Sequence, residues 1–152
     1  MSRHTIKNKR LIVADPFYDS ILIQKITNKL MKKGKKILAH KIMNKSIQEI
    51  EKKTQKDPIQ IIEQGIDHAT PSVEIKARRI GGAVYSIPIE LSSNRGISIA
   101  IQWILQSCSL QTGKPYYQRL ANELIDASKK TGFAIRKKEA AHKTAESNAR
   151  FI

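Results

Sequence analysis

The strongest chemical signal in this sequence is a set of lysines that no acid balances. Residues 20–48 contain eight lysines and no Asp or Glu. Four of these lysines surround one glycine in the run Lys32-Lys33-Gly34-Lys35-Lys36, where one predicted helix meets the next. Ammonium groups and free backbone N–H groups at a helix start both attract phosphate. The run predicts a phosphate-binding site; the alternative is a solvated lysine-rich turn.

A second group of cations lies in a segment of alternating apolar and polar residues. Lys76 and Arg78 share one face of this segment, and Arg79 stands beside them. Guanidinium groups bind phosphate through two parallel hydrogen bonds and stack on bases. Because Gly81-Gly82 follows directly, we expect these cations near the tip of a projecting hairpin. The alternative is an exposed basic edge that only discourages aggregation.

The two ends of the chain are also basic. Residues 1–14 contain Arg3, Lys7, Lys9 and Arg10 and no acid, which favours an arm that folds on nucleic acid over a disordered tail. Near the other end, Glu139 and Glu146 lie among the cations, so an ordinary solvated helix face is the alternative there. This C-terminal patch consists of Lys129, Lys130, Arg136, Lys137, Lys138, His142, Lys143 and Arg150.

Signals for catalysis are weak. The four histidines have no metal-ligand spacing and no paired acid, and no glycine-rich phosphate fingerprint or nucleophile elbow is present. The single cysteine, Cys108, is expected to be a packed thiol. Tyr116, beside Lys114, is predicted to be exposed and to stack on a base, whereas Trp103 is expected in the core. We therefore predict no enzyme, no cofactor and no metal site.

The composition points to a polyanionic partner. The chain has 152 residues and a net charge of +15 at pH 7, from 28 Lys and Arg against 13 Asp and Glu. Such a charge repels itself unless a partner neutralises it. The length suits one domain, residues 1–152, and one cysteine excludes an internal disulfide framework. We expect no membrane-spanning segment and no separable targeting peptide.

Periodicity predicts the elements that hold these cations. Apolar residues recur at helical spacing in six segments, and the fourth, rich in Ile around Trp103, is apolar on nearly all sides, which predicts a central position. Gly34 is expected to end the first helix, and Asp57-Pro58 to begin the third. Between the third and fourth helices, residues 72–90 alternate around Gly81-Gly82, which is typical of a β-hairpin. The predicted fold is mainly α: a six-helix bundle with a projecting hairpin arm.

Several of these segments resemble the seventh family of small-subunit ribosomal proteins of bacteria and plastids. The resemblance covers nearly the whole chain. It is carried by Gly34-Lys35-Lys36 followed by Ile42-Met43, by the hairpin run Arg78-Arg79-Ile80-Gly81-Gly82, by Trp103 with its neighbours, and by Leu120-Ala121-Asn122-Glu123-Leu124. The combination is far more specific than any one segment.

The resemblance implies a structural constituent of the small ribosomal subunit. It implies direct binding to small-subunit ribosomal RNA in the 3′ major domain, nucleation of head assembly, and a position near the exit-tRNA site and the messenger path. Neighbouring head and platform proteins would be partners, and no membrane would be involved. It also adds Arg95 to the RNA-contacting residues. Together, residues and resemblance predict RNA contacts by Arg3, Lys7, Lys9, Arg10, Lys32, Lys33, Lys35, Lys36, Lys76, Arg78, Arg79, Arg95, Lys114, Tyr116, Arg136, Lys137, Lys138, His142 and Lys143.

Two other classes of function remain open from the residues alone. A DNA-binding regulator or architectural protein would also use a basic hairpin, although patches on different faces suit a folded RNA better than one groove. An enzyme acting on nucleic acid would need a cluster of acids, bases or metal ligands, and the sequence has none that we recognise.

The compartment is predicted from codon-level bias and from resemblance. The chain has 24 Ile against 3 Val, and 20 Lys against 8 Arg, a skew typical of an AT-rich genome. Runs such as Ile87-Pro88-Ile89-Glu90 and Ala134-Ile135-Arg136-Lys137-Lys138-Glu139 resemble plastid more than bacterial members of the family. We predict a plastid ribosome, with a mitochondrion or the bacterial cytoplasm as alternatives.

Overall fold

The computed structural model describes residues 10–149, and these form six helices and one two-stranded antiparallel ribbon. In chain order the elements are α1 (Ile21–Leu30), α2 (Lys36–Thr54), α3 (Pro58–Ala69), β1 (Val73–Ile80), β2 (Ala83–Glu90), α4 (Ser93–Leu110), α5 (Tyr116–Ser128) and α6 (Phe133–Asn148). The predicted fold class, a six-helix bundle with a hairpin between the third and fourth helices, is confirmed. Arg3, Lys7 and Lys9 lie outside the described residues. Within residues 10–149, no helix combines the length and the apolar character that a membrane crossing needs.

Local sequence sets the helix ends. The Ser20 hydroxyl accepts a hydrogen bond from the Ile23 N–H at the start of α1. At the start of α3, the Asp57 carboxylate accepts one from the Ile59 N–H at 3.0 Å, as the Asp-Pro pair predicts. The prediction that Gly34 ends the first helix is wrong. The chain becomes extended at Met31, and residues 32–35 form a turn in which the Lys35 N–H donates to the Lys32 carbonyl at 3.1 Å.

The centre of the bundle is α5, which packs against α2, α3, α4 and α6. Its residues Leu120, Ala121 and Leu124 are almost wholly buried. Helix α4 also packs against four helices, α1, α3, α5 and α6, which agrees with the central position predicted for it. Only one face of α4 is buried, and Trp103 packs against the core half-exposed while Leu110 is 64% exposed. The side of α4 that faces away from its neighbours carries Gln102 and Gln106 and stays exposed, so the helix is not enclosed on all sides.

A glycine allows α3 to approach α5 closely, and this contact gives a stability prediction. A Cβ atom at Gly65 would lie 3.0 Å from the Leu124 carbonyl oxygen, a backbone atom that cannot move aside. We expect Gly65→Ala to lower the free energy of unfolding by about 1–2 kcal/mol, since overpacking outweighs the gain in helix propensity. Thermal melting measures this change. Gln64→Ala on the exposed side of α3 is the control, and an equal or higher melting temperature for Gly65→Ala would contradict the close contact.

The hairpin projects from the bundle. Gly81 and Gly82 form its two-residue turn with φ of 58° and 92°, values that glycine adopts without strain. Residues 76–86 are exposed, whereas residues 73–75 and 87–89 are half-buried and pack against α6. We call residues 72–75 and 87–91 the hairpin root. The structure confirms a hairpin arm whose outer half is exposed.

Candidate nucleic-acid interface

The junction cluster, defined as Lys32, Lys33, Lys35 and Lys36, lies on the loop between α1 and α2 and at the first residue of α2. All four side chains are exposed, and none forms an ion pair with any residue of 10–149. No side chain caps the N-terminus of α2, so the helix dipole adds to their positive potential. Four uncompensated ammonium groups around a helix start can hold adjacent phosphates of one strand.

The hairpin cations, defined as Lys76, Arg78 and Arg79, occupy both faces of the ribbon. The strand register pairs Lys76 with Ile87 and Arg78 with Tyr85, which places both cations on one face. Arg79 pairs with Val84 on the opposite face. All three side chains are exposed. An arm with cations on both faces is suited to a cleft in a folded nucleic acid, where phosphates approach it from both sides.

The structure adds an aromatic residue that the sequence analysis missed. Tyr85 is 43% exposed and lies directly across the ribbon from Arg78. Tyrosine rings stack on unpaired bases, and a neighbouring guanidinium can bind the attached phosphate. The sequence could have revealed this pair, because counting outward from a two-residue turn at Gly81-Gly82 places Arg78 opposite Tyr85.

Two further cations connect the junction cluster with the hairpin. On α1, the Lys29 ammonium donates a hydrogen bond to the Ser98 carbonyl of α4, and burial followed by the nearby Arg95 charge lowers the pKa of Lys29. Lys29 also lines a groove of about 350 Å³ that includes Lys32 of the junction cluster. Arg95 continues this line towards β1, where it contacts Glu74. The cations therefore form one strip from the α1–α2 loop across the start of α4 to the hairpin.

Arg95, predicted to bind RNA, is engaged within the protein. Its guanidinium donates to the Glu74 carboxylate at 3.0 Å, although its side chain stays 58% exposed. The hydrogen bond from Arg95 lowers the pKa of Glu74 below its ordinary value. The carboxylate therefore stays charged, and the pair intact, at neutral pH.

The predicted patch on α6 divides into exposed and occupied residues. Arg136 and Lys143 are exposed. By contrast, the Lys138 ammonium donates to the His68 carbonyl at 2.8 Å, and His142 Nε2 accepts from the Ser72 N–H at 3.3 Å. Lys137 lies over the Phe133 ring, 5.3 Å from its centroid. Three of the five predicted α6 contacts are thus half-buried and engaged by other residues of the protein. Helix α6 contacts the hairpin root on the face opposite Glu74.

The exposure predicted for Tyr116 is wrong. Tyr116 is half-buried against the core, its hydroxyl donates to the Leu105 carbonyl at 3.4 Å, and burial raises its pKa to about 12. Its ring also faces Arg119, whose guanidinium lies 5.2 Å from the ring centroid. Neighbouring Lys114 is exposed, as predicted. The tertiary fold, which the local sequence did not reveal, covers this ring.

Groups that could perform catalysis are not assembled in the described region. Among residues 10–149, no three His, Cys, Asp or Glu side chains come together in a group that could hold a metal ion. Burial raises the pKa of the Cys108 thiol to about 12, so the thiolate that a nucleophile requires is scarce at neutral pH. The described surface offers phosphate-binding groups instead.

Comparison with known proteins decides the family. A profile of the family described as ribosomal protein S7p/S5e matches residues 2–149. The chain belongs to this family. Members of the ribosomal protein S7p/S5e family are structural proteins and not enzymes, in agreement with the prediction from the sequence.

Individual relatives of the ribosomal protein S7p/S5e family match over almost the whole chain. The small ribosomal subunit protein uS7c of Chlorella vulgaris is 46% identical over 151 residues, which cover 99% of this chain and 97% of the relative. The uS7c protein of Prototheca wickerhamii has the same identity and coverage. The small ribosomal subunit protein uS7 of Gloeobacter violaceus is 42% identical, again over 99% and 97% of the two chains. Plastid and cyanobacterial proteins are thus both similar to this chain.

Proposed function

We propose that this protein binds small-subunit ribosomal RNA directly and is a structural constituent of the small ribosomal subunit. The observation that carries the proposal is the cation strip, which runs from the junction cluster through Lys29 and Arg95 to the hairpin cations. Of its members, the junction cluster and the hairpin cations have no acidic partner within residues 10–149. A net charge of +15 leaves these groups for phosphates that come from outside the chain.

RNA is favoured over duplex DNA by the shape of this surface. A DNA groove would contact one face of a two-stranded ribbon or of a helix. Here the exposed cations lie on both faces of the hairpin and on a separate loop, an arrangement that suits the several helices of a folded RNA. Competition of a ribosomal RNA fragment against duplex DNA of equal charge separates the two functions. Preferential displacement by the DNA would favour the regulator or architectural protein instead.

The finer role follows from family membership. We propose binding in the 3′ major domain, nucleation of the subunit head, a position near the exit-tRNA site and the messenger path, and contacts with neighbouring head and platform proteins. A protein that nucleates assembly must recognise its RNA before other proteins arrive. Binding of the purified protein alone to a 3′-major-domain fragment, with a fragment from another domain as control, tests this requirement.

The RNA complex should be steeply sensitive to salt. Each neutralised phosphate releases counterions, and neutralising about six to ten phosphates lowers affinity by about 10³–10⁵ between 50 and 200 mM salt. We expect a fall in this range when the dissociation constant is measured across a salt series at fixed pH. A nearly flat response would contradict an interface based on phosphate contacts.

We further propose that the protein works in a plastid ribosome. The excess of Ile over Val and of Lys over Arg, which is typical of an AT-rich genome, supports this assignment, as do the uS7c relatives, which are chloroplast proteins. The cyanobacterial relatives are compatible with a bacterial origin.

A further inference from the structure

The hairpin is joined to the bundle by polar contacts on its two opposite faces. On one face, the Arg95 guanidinium of α4 donates to the Glu74 carboxylate of β1 at 3.0 Å. On the other side of the root, His142 Nε2 of α6 accepts from the Ser72 N–H at 3.3 Å. Within residues 10–149, the side-chain hydrogen bonds that connect the hairpin root to helices are these two and a contact between the Ser72 hydroxyl and His142 Nε2 at 3.4 Å. The arm is thus held between α4 and α6.

The contact with α6 does not by itself define the direction of the arm. A groove of about 360 Å³ lies between the root and α6, lined by Val73, Pro88 and Glu90 on one side and by His142 and Ala145 on the other. Loose packing of this kind leaves the root room to tilt towards α6. Beyond the root, residues 76–86 are exposed. A contact on the opposite face of the ribbon would restrain such tilting.

Glu74 is placed to supply that restraint. It lies on the same face of the ribbon as Lys76 and Arg78, where a carboxylate weakens the attraction for phosphate. One carboxylate oxygen bonds Arg95, and the other is buried without a hydrogen-bond partner among the described residues. A negative charge on a phosphate-binding face repels RNA. A carboxylate at this position therefore indicates a function other than phosphate binding.

We infer that Glu74 is a positioning residue, which sets the angle of the hairpin arm through Arg95 so that the hairpin cations meet the RNA together with the junction cluster. This inference rests on the proposed RNA-binding function. It also assigns Arg95 the task of holding the arm. The role makes a prediction of unusual sign, because removing the Glu74 charge should weaken binding to a polyanion.

The first experiment measures the angle without RNA. Spin labels are attached to cysteines introduced at Val84, near the hairpin tip, and at Lys52, on the exposed side of α2. Cys108 is buried, with a thiol pKa of about 12, and stays unlabelled in the folded protein. We expect Glu74→Gln to broaden the distance distribution between the labels. The swapped pair Glu74→Arg with Arg95→Glu should narrow it again; a Glu74→Gln distribution that superimposes on that of the parent protein would overturn the inference.

The second experiment measures affinity for a 3′-major-domain RNA fragment at fixed salt. An exposed ion pair contributes up to about 1 kcal/mol, so its loss reduces the correctly oriented fraction, and with it the affinity, by up to about fivefold. We expect Glu74→Gln to bind about three- to fivefold more weakly, with a melting temperature lowered by no more than about 4 °C. The matched control is Glu90→Gln, which removes an equal charge from an exposed position of the same root and should bind as well as or better than wild type. Unchanged or tighter binding by Glu74→Gln would overturn the inference. If the wild-type protein itself failed to bind RNA, the proposed function would be overturned, and the distance measurement alone would decide the role of Glu74.

Discussion

Replacing Lys76, Arg78 and Arg79 together with alanine should reduce RNA affinity by about 10²–10⁴-fold while the fold stays intact. Charge-assisted hydrogen bonds contribute about 1.5–3 kcal/mol each and add imperfectly when they are neighbours. The three side chains are exposed on the outer half of the arm, so their removal opens no cavity. Binding to a 3′-major-domain fragment at fixed salt and thermal melting of the free protein measure the two effects.

A charge-matched control separates a local contact from a general loss of charge. Lys52, Lys53 and Lys56 lie at and just beyond the end of α2, where Glu49, Glu51 and Asp57 balance them. Their replacement with alanine should change affinity far less than the hairpin variant does. If both variants lost the same affinity, net charge alone would drive binding, and the hairpin would not be a specific part of the interface. A hairpin variant that failed to fold would show that the arm is packed into the bundle.

Glu123→Ala should produce the largest loss of stability. This α5 carboxylate is only 2% exposed, and it accepts a hydrogen bond from the Ser107 hydroxyl of α4 at 2.8 Å and another from the Ala134 N–H of α6 at 3.0 Å. Alanine would leave both donors buried without a partner, and we expect a cost of about 3–5 kcal/mol. At about 2–4 °C per kcal/mol for a chain of this size, the melting temperature should fall by about 6–20 °C.

A conservative variant separates the contribution of the Glu123 hydrogen bonds to stability from the contribution of the side-chain volume. Glu123→Gln keeps the shape and one acceptor oxygen, so it should lose much less stability than the alanine variant. Glu139→Ala, at an exposed position of α6, should have almost no effect. Hydrogen exchange in the first turn of α6 should quicken in Glu123→Ala, because the Ala134 N–H loses its acceptor. A melting temperature within about 2 °C of wild type would contradict the structural role.

The parts of the fold that could be predicted are those determined by neighbouring residues. Helical periodicity, the Asp57-Pro58 start of α3 and the Gly81-Gly82 turn depend on contacts within a few positions, and the structure has all of them. The same holds for the junction cluster, since the sequence has no acids near these lysines and they form no ion pairs with residues 10–149.

The parts that could not be predicted depend on contacts between distant residues. The Lys138 ammonium finds its acceptor, the His68 carbonyl, 70 positions away, and His142 meets Ser72 at the same separation. The basic face of α6, which the sequence predicts to be solvated, is therefore partly engaged in contacts with other residues of the protein. For α4, the sequence shows apolar residues on nearly all sides but not which side stays exposed. The exposure of Tyr116 was predicted wrongly, because the local sequence does not show that the tertiary fold covers its ring.

The exposed length of the hairpin makes it a mechanical lever. From Glu74 to the turn the strand extends over six residue steps, about 20 Å at 3.3 Å per residue, so a rotation of about 10° at the root displaces the tip by about 3–4 Å. That displacement exceeds the length of a hydrogen bond, so an arm held loosely at its root would lose every phosphate contact at its tip at once. The hairpin root need not contact RNA itself, yet how firmly it fixes the angle of the arm limits which RNA the hairpin tip can recognise.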